Sequence, residues 1–126
     1  MNTLRDVLTQ SEKDGVALGH FNVANAAMLK AVLNATAELR VPVLVGASEG
    51  EREFMGTRQL AVLFNSLREE LGVTAFLNAD HTHSSAKAVD AAKAGFGAVV
   101  IDFSALPFDE NVSSYESNGS SDINSG

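Results

Sequence analysis

The sequence predicts an α/β fold in which helices cover a parallel sheet. Three observations carry that expectation. Four short, continuously apolar runs recur, beginning near Val16, Val43, Thr74 and Gly97. Between them lie stretches whose apolar residues fall three and four apart, the spacing of one helix face. The runs themselves do not alternate apolar with polar, which marks strands buried on both faces.

The elements follow in order. Leu4, Val7 and Leu8 share a face of a helix predicted over residues 3–13, capped by Thr3 and stopped by Gly15. Residues 16–22 read as the first strand. Met28, Val32, Ala35 and Leu39 mark a helix over residues 24–39. Pro42 suits the start of a strand, and residues 43–47 form the second, leaving through Ser48-Glu49-Gly50. Residues 51–56 read as a charged loop. Leu60, Leu63, Phe64, Leu67 and Leu71 give a helical stripe closed by Gly72. Residues 74–78 are the third strand and residues 84–94 a helix ending at Gly95. Residues 97–101 are the fourth strand.

Residues 113–126 differ in kind. Ser, Asn and Gly dominate, and Tyr115 and Ile123 are the sizeable apolar residues there. Such a composition buries too little surface to offset its ordering entropy, so it reads as a disordered tail. The expected organisation is one α/β unit over residues 1–112 and a tail of unrelated origin over residues 113–126.

Bulk properties narrow the function. The chain has 126 residues, enough for one domain with a core. A net charge of −7 argues against nucleic acid or an anionic membrane as partner. The absence of cysteine excludes disulfides and thiolate metal sites. No run approaches the roughly 20 apolar residues of a membrane span. The first residues lack the basic-then-apolar order of a secretory signal, so a cytoplasmic location is expected. The Asn-x-Ser/Thr triplets at Asn34, Asn111 and Asn118 then read as chance.

Each predicted strand ends in polar residues: Asn22, then Ser48, then Asp80 and His81, then Asp102 and Ser104. In parallel α/β folds these ends meet on one face around one pocket. Helix capping would also explain part of the pattern. A carboxylate beside an imidazole can transfer protons and hold zinc. Both reach one pocket only if the backbone turns between them. His81 and His83 form an H-x-H pair that faces one side of a strand and suits a metal. His20, inside the first strand, reads as a hydrogen-bonded interior histidine.

These residues, with their order and spacing, resemble a known family. Gly19-His20-Phe21-Asn22-Val23 with Asn25, Pro42-Val43 leading to Ser48-Glu49-Gly50, Asp80-His81, Gly95-Phe96, and Ile101-Asp102 with residues 106–111 look like the N-terminal half of class II, zinc-dependent fructose-bisphosphate and tagatose-bisphosphate aldolases. The resemblance covers residues 4–112. It implies a (β/α)8 TIM barrel, about half of it present here. It implies reversible aldol cleavage of a ketose bisphosphate to dihydroxyacetone phosphate and an aldehyde. On the matching positions, Asp80 would be the acid/base at the C4 oxygen and His81 a zinc ligand. His83 would be a potential further ligand, with Asp102 as an auxiliary metal residue. Asn22 and Ser48 would hold substrate, Ser48 near a phosphate. Further zinc ligands, the enolisation base and the glycine-rich phosphate loops belong to later strands of the family.

Three functions are therefore expected in turn. The first is a truncated aldolase polypeptide, inactive alone. The second is a non-enzymatic half-barrel that self-associates, or pairs with a full-length subunit, through exposed barrel edges. The third is a metallohydrolase built on His81 and His83.

Overall fold

The structure is a computed structural model and describes residues 3–119. It opens with α1 (Leu4–Asp14). The Thr3 hydroxyl accepts from the Asp6 N–H, and the Asp6 carboxylate accepts from the Thr3 N–H. This reciprocal capping box satisfies two donors that a helix start leaves unpaired. There follow β1 (Gly19–Asn22), α2 (Ala26–Leu39), β2 (Val43–Ala47), α3 (Glu49–Met55), α4 (Thr57–Leu71), β3 (Ala75–Thr82), α5 (Ser85–Ala94), β4 (Ala98–Ile101) and α6 (Phe108–Gly119).

The strands lie in the order β1-β2-β3-β4, and every neighbouring pair is parallel. Parallel neighbours need a crossover between them, here always helical, so all four strand exits share one edge of the sheet. The helices cover one face. Val43, Val45, Ala47, Ala75, Leu77 and Ala79 join Leu29 and Leu33 of α2, Leu60 and Phe64 of α4 and Ala91 of α5 in one buried cluster. Strand register puts His20, Asn22, Leu44, Gly46, Phe76 and Asn78 on the opposite face. On that face His20 and Asn22 are exposed, and Leu44 and Phe76 are half-buried.

Four elements depart from the sequence expectation. Strand β1 starts at Gly19, and Val16 lies outside it with 58% exposure. Residues 49–55 are helical where a loop was expected, because Ser48 and Glu51 form a second capping box. Strand β3 runs four residues beyond Asn78, to Thr82. Residues 113–119 continue α6 where a tail was expected. One aromatic anchor explains that last difference. The Tyr115 ring packs edge-to-face on Phe103 at 5.1 Å between centroids, and its hydroxyl donates to the Ile101 carbonyl at 3.0 Å. The tail expected over residues 120–126 lies outside the described residues.

Candidate active site

The site is built on an irregularity of β3. Ala79 pairs with Val99 and Thr82 with Ile101, so Asp80 and His81 together oppose Val100 alone. Two residues against one make a β-bulge, which re-aims side chains. His81 takes φ 46°. That left-handed backbone costs a non-glycine residue roughly 1–3 kcal/mol. On a regular strand these two side chains would point apart. The bulge brings them together, with His81 Nε2 3.7 Å from Asp80 Oδ2.

Each side chain is then held by neighbours on other strands. Asn22 Nδ2, from β1, donates to Asp80 Oδ2 at 3.0 Å, and the His81 N–H donates to Asp80 Oδ1 at 3.1 Å. His81 Nδ1 lies 3.3 Å from Asp102 Oδ2, beyond the end of β4. Asp102 Oδ1 accepts from the Ser104 hydroxyl and from the Ser104 N–H. These Ser104 bonds, and then the His81 contact, pull the Asp102 carboxyl down to about 2. An ionised carboxylate only accepts, so His81 Nδ1 is the donor of this pair, while Nε2 lies on the Asp80 side of the ring.

Gly46 makes the arrangement possible. It lies between Asn22 and Asn78 in the register. A Cβ there would run into His20 Nε2 and Asn22 Oδ1. Without one, Asn22 crosses β2 to reach Asp80, and His20 crosses it to lie 3.3 Å from Asn78 Nδ2. His20 is thus hydrogen-bonded as expected, but on the exposed face of an edge strand.

The remaining candidates are nearby and differently occupied. His83 Nδ1 contacts the Asp102 carbonyl at 3.1 Å, and the His83 N–H donates to Glu49 at 2.9 Å. Glu49 also accepts from Lys87 Nζ at 2.7 Å, and Lys87 reaches Glu53. The His83 N–H and then Lys87 hold the Glu49 carboxyl below its usual range. The Ser48 hydroxyl accepts from the Glu51 N–H at 3.3 Å as the cap of α3. Asn22, Asp80, His81 and Asp102 therefore form one chain of contacts, with His83 at its rim. Ser48 faces its own helix.

Sequence reasoning passed over Arg52. It comes from α3, is 2% exposed, and reaches the Ala47 carbonyl at 2.5 Å, the Asp80 carbonyl at 3.0 Å and Thr82 Oγ1 at 2.9 Å. Burial lowers the pKa of its guanidinium, and Glu49, Asp80, Glu53 and Glu51 oppose that shift. Gly46 did carry a signal, because an isolated glycine inside a strand marks a close approach.

A zinc ion needs about three protein ligands in a catalytic site. Among the described residues, no three His, Asp or Glu side chains converge to hold one. His81 and His83 each turn Nδ1 to a group of Asp102, its carboxylate and its carbonyl respectively, as ligating histidines do. The present residues therefore fit at most two positions of a zinc site and not the whole of it. The exits line an open surface. Grooves of about 640 and 630 Å³ lie elsewhere, one at the opposite edge of the sheet beside α1 and one along β1.

Four parallel strands alternating with helices, their exits on one edge, define the class: a (β/α)-barrel fold, here present as half a barrel. The family model for class-II fructose-bisphosphate aldolase matches residues 2–117. The chain belongs to that family. A fructose-bisphosphate aldolase from Staphylococcus aureus is 34% identical over 113 residues, covering 87% of this chain and 40% of its own length. The YdjI aldolase from Escherichia coli K12 superposes with a TM-score of 0.81 at 25% identity, covering 92% of this chain and 45% of that one. A fructose-bisphosphate aldolase from Campylobacter jejuni shares the fold with a TM-score of 0.75 at 21% identity. The chain thus spans less than half the length of these relatives. The family match runs five residues past the boundary expected at Val112.

Proposed function

We propose that this chain is the acid/base-bearing part of a class II ketose-bisphosphate aldolase. The observation that carries the reading is the bulge that turns Asp80 and His81 to one side, within a chain of that family. The substrate is fructose or tagatose bisphosphate. The Asp80 carboxylate takes the proton of the C4 hydroxyl as the C3–C4 bond breaks: the C4 oxygen becomes the aldehyde carbonyl, the bonding pair stays with the ketone fragment as its enolate, and C3 is then protonated by the base that later strands of the family carry. The aldehyde leaves, and the proton returns to the same oxygen in condensation. Asn22 fixes the Asp80 oxygen that faces the exposed side of the sheet, and Ser48 lies at the neighbouring exit, where a phosphate would approach. Zinc, generally required in this family, supplies Lewis acidity when bound. His81 would be one ligand, oriented by Asp102, with His83 at the rim. The negative charge of the chain fits a cytoplasmic enzyme of small metabolites, without nucleic-acid or membrane partners.

The test joins residues 2–117 to the remaining C-terminal sequence of the S. aureus relative. Zinc-dependent cleavage of fructose or tagatose bisphosphate is expected, falling about 10²–10⁴-fold in kcat for Asp80→Asn. Full activity of that variant would overturn the assignment. The 126-residue chain alone is expected to show negligible cleavage.

A second reading, self-association, is favoured by the groove along β1. It is lined by Val16, Phe21, Val32, Leu39 and Val41, and Phe21 and Leu39 are 53% and 68% exposed. An apolar groove beside an unpaired parallel edge suits a second β-α surface. A monomer at all concentrations in sedimentation would exclude it.

A further inference from the structure

We propose that Arg52 is a positioning residue, whose guanidinium grips β3 on both sides of His81, at the Asp80 carbonyl and at the Thr82 hydroxyl, and so holds the bulge that joins Asp80 to His81. The inference rests on the proposed roles of Asp80 and His81 for its meaning. The clamp itself is a matter of geometry and is measurable without turnover.

Three observations converge. Strands β2 and β3 pair through Ala47 and Ala79, after which β2 turns away into α3. The Ala47 and Asp80 carbonyls therefore emerge where the ladder between these strands ends, and unpaired buried carbonyls are costly. Arg52 Nη1 donates to both, and Nη2 to Thr82 Oγ1. The clamped residues, Asp80 and Thr82, flank His81, which has a left-handed backbone. Thr82 in turn is fully buried, and its carbonyl accepts the Asp102 N–H at 2.8 Å. One planar fork thus ties α3, the end of β2 and both sides of the strained residue, and through Thr82 it reaches the loop that carries Asp102.

The charge is needed for its shape. A guanidinium presents parallel donors in a fixed plane, whereas an ammonium is a point on a flexible stem. Among the described residues, no carboxylate forms a salt bridge with Arg52, and its described hydrogen bonds go to two carbonyls and a hydroxyl. A buried Arg that is spent on carbonyls at the exit of the proposed catalytic strand has the arrangement of a backbone brace.

The experiment compares the isotope-labelled 126-residue chain with Arg52→Met and Arg52→Lys by NMR. The three-bond HN–Hα coupling and the Cα and Cβ shifts of His81 report its φ directly. Exchange of the Asp102 amide reports the β3–β4 contact beyond the bulge. In Arg52→Met the left-handed signature at His81 is expected to disappear. Asp102 exchange should rise at least about tenfold while the Val45 and Leu77 amides stay protected. Arg52→Lys, which keeps charge and stem, should fall between. If Arg52→Met does not fold, Arg52→Lys decides by the same two readouts. Retention of the left-handed signature, or a uniform rise in exchange across the sheet, would overturn the proposal and leave Arg52 as ordinary support. An inactive chimeric aldolase in which the His81 signature is intact would count against the proposed function and not against the clamp.

Discussion

His81 and Gly46 show how single residues set this site. His81 carries a left-handed backbone that glycine would adopt without strain. His81→Gly is therefore expected to leave stability unchanged or raise it by about 1 kcal/mol. His81→Val should lower it by more, because a branched Cβ is least tolerated there. Urea denaturation of the two variants checks the sign of the difference. Gly46→Ala is expected to keep the fold, since the atoms its Cβ meets are ends of movable side chains. It should break the Asn22–Asp80 hydrogen bond, seen as loss of the downfield Asn22 side-chain amide signal. At this scale the sequence was only partly legible. Asp80, His81, Asn22 and Asp102 were visible as polar residues at strand exits, because strand polarity alone collects those ends. The bulge that orients two of them was not, since it depends on how β3 registers with β4. Arg52 was hidden among charges that looked like a solvated loop.

Among the elements, α1 and α3 owe their starts to capping boxes. Ser48→Ala is expected to destabilise the chain by about 1 kcal/mol, because its hydroxyl satisfies the first turn of α3. A thermal melt of the isolated chain measures that contribution free of any phosphate. In α1, Thr3 hydrogen bonds hold the Asp6 carboxyl below its usual range. A carboxyl depressed in the folded state contributes stability above its unfolded pKa and loses it as pH falls through the depressed value. The start of α1 should therefore loosen as pH drops below about 4, and Asp6→Asn should remove that dependence. Amide shifts of residues 3–7 followed between pH 6 and pH 2 test it. The periodic elements were readable because burial of one face imposes a period. The helix α3 escaped that pattern: its seven residues bury Arg52 and leave Phe54 82% exposed. Its Ser48-x-x-Glu51 cap was the available signal. The helical turns after Ser113 escaped because composition averages over residues, whereas Tyr115 supplies a specific anchor.

For the whole molecule, the four-stranded sheet has one finished face and one open one. The finished face should behave as an ordinary core. Phe64→Ala, at a site 2% exposed, is expected to cost about 3–5 kcal/mol in urea denaturation. The open edge at β1 should behave as an interface. Phe21→Glu and Leu39→Glu are expected to weaken self-association at least about tenfold by sedimentation, without loss of helical signal, since both side chains are largely exposed.

The strand order carries one more consequence. Among the described residues, β2, β3 and β4 each pair with the strand that precedes them in the chain, so none of these pairings waits for a distant segment. A ribosome releasing this polypeptide presents each new β-α unit to a template already in place. Loop closure at each step spans a single unit, which keeps its entropic cost small. Assembly can therefore follow the direction of synthesis, with β1 as the seed and β4 added last.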